Sequence, residues 1–114
     1  MASKKKAMNP ALLSAVASQF RVLAEPARLT LLQELLSGER SVGGLVRATG
    51  MSQANTSKHL AVLADAGFLA RRKEGTTVYY AVVDPSVNEL CDLMCTRVQR
   101  QAQADAAALV ARRR

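Results

Sequence analysis

The sequence predicts a mainly α fold of the α+β type: four helices, a two-stranded β-hairpin and a C-terminal helix. Two observations lead to this expectation. Between residues 51 and 83, a polar helix start runs into an apolar stripe, glycine follows at Gly67, and two extended segments then flank a turn at Gly75. Elsewhere, leucine and valine recur at the three- and four-residue spacing that is typical of amphipathic helices.

Three helices are predicted in the N-terminal half. Pro10 and Pro26 open the first two, because proline is favoured at the first position of a helix. The first carries apolar residues at helical spacing: Leu12, Leu13, Val16, Phe20 and Leu23. The second carries a leucine stripe and ends at Ser37-Gly38-Glu39: Leu29, Leu32, Leu35 and Leu36. Ser41 is the expected N-cap of a short third helix over residues 42–48.

The fourth helix is predicted over residues 53–66, after a turn at Thr49-Gly50 and an N-cap at Ser52. Gly67 ends it, because the residue after a helix often adopts the left-handed conformation that glycine reaches easily. Residues 68–73 and 77–83 then form the hairpin, and Asp84-Pro85 starts the last helix. Its apolar stripe comprises Val87, Leu90, Cys91, Met94, Cys95 and Val98.

The fourth helix and the hairpin together indicate DNA binding. Small polar side chains at a helix start can read base edges, and cations on a hairpin can hold phosphates. The candidate contacts on the helix are Ser52, Gln53, Asn55, Thr56, Ser57, Lys58 and His59. Those on the hairpin are Arg71, Arg72, Lys73 and Thr76. The alternative for the helix residues is a solvated face, and for His59 it is packing or capping between the helices. The pattern is that of a winged helix-turn-helix.

Charge and composition fit one DNA-binding domain in the 114 residues. The formal net charge is +7, but six of the sixteen cations lie in the terminal runs of residues 4–6 and 112–114. We expect disordered basic tails over residues 1–9 and 111–114, and a single domain over residues 10–110. No apolar run approaches the roughly 20 residues that cross a bilayer. We therefore expect a cytoplasmic protein with no membrane partner.

Enzymatic activity is not expected. The one histidine lies on the helix proposed to face DNA, and the sequence has no glycine-rich loop that would bind phosphate. A dithiol oxidoreductase prefers Cys-x-x-Cys at a helix start, where the thiol pKa is lowered. Here Cys91 and Cys95 fall in the middle of a predicted helix.

Two segments of the chain resemble the ArsR/SmtB family of small bacterial transcriptional repressors. They are LAEPARLTLLQELLSGERSVGGL and SQANTSKHLAVLADAGFLARRKEGTTVYYAV, within a resemblance that covers roughly residues 20 to 98. The resemblance implies a homodimer whose first and last helices form the interface. It also implies binding to double-stranded operator DNA until an inducer lowers the affinity.

The apolar stripes of the first and last helices predict a homodimer independently. On a monomer they would leave a large apolar patch exposed, and a two-fold mate would bury it. Such a dimer sets two reading helices about one DNA turn apart, which predicts an inverted-repeat operator. The alternative is that both helices only thicken the core of a monomer.

The residues available for inducer binding depart from those of the metal-binding members of that family. Where these carry a Cys-Val-Cys motif, this chain has Ser41-Val42-Gly43. The zinc-type site on the last helix needs histidine ligands, and this helix has none: its candidate ligands are Asp84, Glu89 and Asp92. Only the thiols of the last helix remain as candidates.

Cys91 and Cys95 are the two cysteines of the chain and lie four residues apart, on one helix face and about 6 Å apart at Cα. No cofactor is required. Two such thiolates suit a thiophilic inducer such as As(III) or Sb(III), with a third ligand from the partner subunit or solvent. Sulfur or redox sensing by the same thiols is one alternative. Another is a DNA-binding regulator without an inducer, whose cysteines are buried structural residues.

Overall fold

The computed structural model describes residues 7 to 112. Its helices are α1 (Pro10–Leu23), α2 (Pro26–Glu34), α3 (Val42–Thr49), α4 (Gln53–Asp65) and α5 (Ser86–Arg112). Its strands are β1 (Arg40–Ser41), β2 (Leu69–Glu74) and β3 (Thr77–Val82). One compact unit ends at Val83, and α5 belongs to a second unit that begins at Asp84. The predicted α+β class is confirmed. Within residues 7–112, no helix is both long and apolar enough to cross a membrane.

Polar side chains cap the first four helices. At the start of α2, the Glu25 carboxylate accepts from the backbone N–H of Ala27 at 3.4 Å. The Asn9 side chain accepts a hydrogen bond from the backbone N–H of Leu12 at 2.8 Å. The Ser41 and Ser52 hydroxyls accept in the same way at the starts of α3 and α4, at 3.0 and 3.1 Å. Each cap satisfies a backbone N–H group that has no partner within its helix. The two predicted serine caps are therefore confirmed, and Asn9 and Glu25 cap α1 and α2.

The described helices and their caps reach into both segments that the sequence assigns to tails. Asn9 falls in the expected tail of residues 1–9 but caps α1. At the other end, α5 continues to Arg112, past the expected boundary at residue 111. The rest of both expected tails, residues 1–6 and 113–114, lies outside the described residues.

The sheet has three strands, where the sequence predicts a two-stranded hairpin. β3 is central and runs antiparallel to both neighbours, in the order β1-β3-β2. The additional strand β1 pairs Arg40 with Tyr80 and Ser41 with Tyr79. Two residues are too short to show the alternation that identifies a strand, so the sequence pattern gave no indication of it. The pairing attaches the hairpin to the residue that caps α3.

Leucine side chains from the four helices α1 to α4 and from β2 form the core of the first unit. The buried members are Leu23, Leu31, Leu32, Leu35, Leu45, Leu60, Leu63 and Leu69, with Tyr80 from β3. Leu29 and Leu36, which the predicted stripe of the second helix includes, are exposed instead, and Leu31 is buried. The core therefore holds α4 by one face, which contains Leu60 and Leu63.

Candidate nucleic-acid interface

The N-terminal half of α4 presents a polar surface to solvent. Its exposed side chains are Ser52, Gln53, Asn55, Ser57 and Lys58. Burial of the opposite face, with Leu60 and Leu63 fully buried, fixes which side of the helix points outward. Amide, hydroxyl and ammonium groups on one surface of a helix are the groups that can contact base edges and phosphates in the major groove. Five of the seven predicted helix contacts are therefore accessible to solvent.

The prediction that Thr56 contacts DNA is wrong. Its side chain is 0% exposed. Its hydroxyl donates to the carbonyl of Ser52 at 2.8 Å, and its backbone N–H donates to the same carbonyl at 2.9 Å. Thr56 lies one and two turns before Leu60 and Leu63, on the same buried face. It stabilises the first turn of α4 and cannot reach a base.

His59 lies on α4 but faces α2. The Nη1 atom of Arg28 is 3.1 Å from Nδ1 of His59, and the Nε atom of Arg28 donates to the carbonyl of Val22 at 2.5 Å. The ring is half-buried. His59 is therefore held within the helical unit, which is the packing alternative for this residue. Arg28 was not predicted as a functional residue, because no local pattern connects it with a residue 31 positions away.

The three consecutive cations of β2 differ in their contacts. Arg72 donates to both carboxylate oxygens of Glu39, at 3.0 and 2.8 Å, and to Glu74 at 2.6 Å. Its guanidinium also lies 4.5 Å from the ring centroid of Tyr79, its cross-strand neighbour. Arg71 and Lys73 are exposed and take part in no ion pair within residues 7–112.

The contacts of Arg72 change the acid–base properties of the hairpin. The hydrogen bonds with Glu39 and Glu74 raise the pKa of Arg72 above its usual value. The Arg72 guanidinium in turn lowers the pKa of the Glu39 carboxyl. Arg72 is thus a permanently charged group with two carboxylate partners, and it is less available to phosphate than its two neighbours.

Thr76 lies at the tip of the hairpin, where the chain turns between Glu74 and Thr77. The preceding Gly75 has a φ of 62°, in the left-handed region that glycine adopts at low cost. Thr76 is exposed. Together with Arg71 and Lys73 it forms the accessible polar surface of the hairpin.

The two cysteines of α5 are free thiols. Cys91 is half-buried and Cys95 is exposed. Burial raises the pKa of the Cys91 thiol, and the neighbouring Asp92 carboxylate adds to the effect. Within residues 7–112, no group of three or more histidine, cysteine, aspartate or glutamate side chains is placed to hold a metal ion. The described residues therefore offer two thiols on adjacent helical turns.

Comparison with known proteins identifies the family of this chain. The profile of the arsR family of bacterial regulatory proteins matches residues 25–71, from α2 into β2. A probable mercury resistance operon repressor of Streptomyces lividans is 41% identical over 87 residues, which cover 75% of this chain and 70% of that protein. The chain belongs to the ArsR family.

Solved structures that resemble this ArsR-family chain have the same fold. The crystal structure of the AntR antimony-specific transcriptional repressor matches with a TM-score of 0.76 and 32% identity, over 87% of this chain and 90% of that one. A homodimeric winged helix-turn-helix DNA-binding domain of Mb0332 from Mycobacterium bovis matches with a TM-score of 0.72 and 34% identity. That match covers 82% of this chain and 86% of the other. The predicted winged helix is thereby confirmed.

Membership in the ArsR family makes this chain a DNA-binding transcriptional repressor, as α4 and the hairpin predict. Its relatives are transcriptional regulators and not enzymes. Arg28 and Glu39 contact two of the candidate residues, and the sequence pattern did not indicate either of them. Both act through partners distant in the sequence, His59 and Arg72, and only the folded chain brings these pairs together.

Proposed function

We propose that two copies of this ArsR-family chain bind an inverted-repeat operator and release it when an inducer is captured by Cys91 and Cys95. The observation that supports DNA reading most directly is the polar surface of α4. In this proposal Gln53 and Asn55 contact bases, because amide side chains can pair with adenine through two hydrogen bonds. Arg71 and Lys73 contact the flanking phosphates and fix the orientation of the helix.

The apolar surfaces of α1 and α5 support a homodimer. On α1, Leu12, Leu13 and Phe20 are between 43% and 49% exposed. On α5, Leu93, Met94 and Val98 are between 52% and 70% exposed. Apolar side chains exposed along a helix are usually covered by a partner. We assign both helices to a two-fold interface, because such a dimer carries two reading helices to one inverted repeat. One structural relative is homodimeric.

The two thiols of α5 support a thiophilic inducer. Helical positions four apart place their Cβ atoms about 5–6 Å apart, so one large soft atom can bridge both sulfur atoms. For arsenous or antimonous acid, two new bonds to sulfur replace two bonds to hydroxyl. Each thiol proton leaves with a hydroxide as water, and the oxidation state does not change. One related repressor is antimony-specific and another belongs to a mercury resistance operon, so Hg(II) joins As(III) and Sb(III) as a candidate.

Sulfur sensing through the same thiols is the second candidate, and the exposure of Cys95 favours it. A direct disulfide needs Cβ atoms about 3.8 Å apart, which helical positions four apart do not reach. A sulfur atom inserted from a polysulfide of three or more sulfur atoms removes this mismatch: two thiols and one trisulfide dianion give Cys–S–S–S–Cys, and the other two sulfur atoms leave as hydrosulfide with the two thiol protons. Both candidates require both thiols and differ in the ligand that bridges them.

The test measures binding of the full chain to a labelled DNA duplex by fluorescence anisotropy. The duplex is the inverted repeat that the protein binds most tightly in a selection from a randomised pool. As(III), Sb(III), Hg(II), polysulfide and peroxide are titrated in turn. Cys91→Ser and Cys95→Ser should each still bind the duplex but no longer release it when an inducer is added. The reason is that the loss of one thiol prevents capture of the inducer by two sulfur atoms. Met94→Leu removes the sulfur between them and should respond like the wild type. A double serine variant that responds like the wild type would show that the cysteines are only structural.

A further inference from the structure

Two side chains, Arg28 of α2 and Gln19 of α1, connect α4 with α1 through hydrogen bonds. Near the middle of α4, Arg28 contacts His59 and also donates to the carbonyl of Val22, in the last turn of α1. At the end of α4, the Gln19 side chain donates to the carbonyl of Ala66 at 3.1 Å. Carbonyl groups in the last turn of a helix have no partner within the helix, and a cation beside them is favourable. Arg28 therefore bridges the end of α1 and a side chain of the reading helix.

The contact with Arg28 also fixes the protonation pattern of His59. A guanidinium group has five N–H donors and no acceptor. The Nδ1 atom of His59 must therefore accept the hydrogen bond at 3.1 Å. A neutral imidazole carries one proton, so that proton is on Nε2.

The directional character of this contact adds to what the core supplies. Burial of Leu60 and Leu63 sets which face of α4 is turned inward, but the hydrophobic effect is non-directional and leaves room for small rotations of the helix. Hydrogen bonds require particular distances and angles. Arg28, which bonds to both the Val22 carbonyl and the ring of His59, therefore restricts the remaining rotation of α4 about its axis. That rotation decides which side chains of α4 face the groove.

We propose that Arg28 is a positioning residue for DNA reading, which holds the tautomer and orientation of His59 and so couples the rotation of α4 to the end of α1. We take from the proposed function the premise that α4 reads DNA. Since α1 is also the helix assigned to the dimer interface, a shift of α1 in the dimer reaches α4 at two points: its middle, through Arg28, and its end, through Gln19.

The test compares Arg28→Met, which keeps the stem of the side chain and removes its donors, with Arg21→Met as a matched control. Arg21 lies on the exposed surface of α1, and its guanidinium donates to the Ser18 hydroxyl at 2.9 Å. His59 is the one histidine of the chain, so long-range ¹H–¹⁵N correlation spectra report its tautomer without ambiguity. The wild type and Arg21→Met should show the Nε2–H form alone, and Arg28→Met a mixture of both tautomers.

The second measurement is the affinity ratio between the selected inverted-repeat duplex and a scrambled duplex of equal composition. Arg28→Met should lower this ratio about tenfold, which is the discrimination that one misplaced base contact can carry. Arg28→Lys retains the positive charge and a single donor nitrogen. It should recover the Nε2–H tautomer of His59 and part of the affinity ratio between the two duplexes. A single Nε2–H tautomer in Arg28→Met, or a mixture of tautomers with an unchanged ratio, would overturn the proposal.

Two further variants keep the test decisive. If Arg28→Met does not fold, His59→Gln, whose amide oxygen can accept from Arg28, is compared with His59→Leu. A ratio retained in the first and lost in the second supports the proposal, and equal ratios overturn it. Gln53→Ala tests separately the premise that α4 reads DNA. If this variant leaves the affinity ratio unchanged while the tautomers of His59 behave as expected, the assignment of α4 as the reading helix fails. The role of Arg28 in reading then fails with it.

Discussion

The three consecutive cations of the hairpin should contribute unequally to DNA binding. Arg72 already has Glu39 and Glu74 as partners, whereas Arg71 and Lys73 form no ion pair within residues 7–112. To reach a phosphate, Arg72 would have to give up hydrogen bonds to two carboxylates. The other two side chains give up only water. We therefore expect Arg71 and Lys73 to make the phosphate contacts of the hairpin.

The size of the effect follows from counterion release. Each phosphate contact contributes about 0.9 to the slope of log affinity against log salt. Replacing Arg71 and Lys73 by glutamine should flatten the slope by about 1.8 for one hairpin, and by about 3.6 for a dimer with both hairpins on the duplex. The paired variant Glu39→Gln with Arg72→Gln removes one anion and one cation, so the net charge is unchanged. Its slope should equal that of the wild type.

The assay measures affinity for the selected duplex by fluorescence anisotropy at several salt concentrations between about 50 and 200 mM. Arg97→Gln with Arg100→Gln serves as the control for charge, because it removes two exposed cations from α5 and none from the hairpin. Its slope should remain close to that of the wild type. If the neutral Glu39 and Arg72 variant flattens the slope as much as the Arg71 and Lys73 variant, then Arg72 leaves its carboxylates on DNA and our reasoning is refuted.

Three further predictions concern α4 and α5. Gln53→Ala should cost about 1–3 kcal/mol on the selected duplex and much less on a scrambled one, both measured by anisotropy; equal losses would exclude a base contact. Thr56→Val should lower the free energy of unfolding, measured in urea, by about 1 kcal/mol, because the hydroxyl hydrogen bond is lost. A fall in the affinity ratio between the selected and the scrambled duplex would contradict the assignment of Thr56 as a structural residue. In Cys95→Ser, the remaining Cys91 thiol should be alkylated more slowly at neutral pH than free cysteine, because its raised pKa leaves less thiolate. The rate should increase as the pH rises. A rate at neutral pH equal to that of free cysteine would contradict this expectation.

The helix-turn-helix could be predicted because its signals are local. Ser41 and Ser52 cap α3 and α4 through hydrogen bonds to residues three positions further on. Gly50 and Gly67 follow these helices with φ values of 74° and 89°, in the left-handed region. Each signal depends on a few neighbouring residues, so it can be read from the sequence before the tertiary structure is known.

The role of Thr56 could have been predicted from spacing but not from residue type. Thr56, Leu60 and Leu63 follow the i, i+4, i+7 pattern of one helix face, and the two leucines mark that face as buried. A polar residue on this face bonds to its own backbone, as the Thr56 hydroxyl does. The contact between Arg28 and His59 had no such signal, because it depends on how α2 packs against α4.

Ser41 belongs to two elements at once, since it pairs with Tyr79 as the last residue of β1 and caps α3 with its hydroxyl. The middle of β3 is therefore anchored by the segment that leads into α3, whereas the turn at Gly75 and Thr76 is exposed. Exposed loop tips tolerate insertions far better than paired segments. A longer or more basic loop could be grafted between Glu74 and Thr77 to extend the reach of the protein along DNA, with α3 and α4 left as they are.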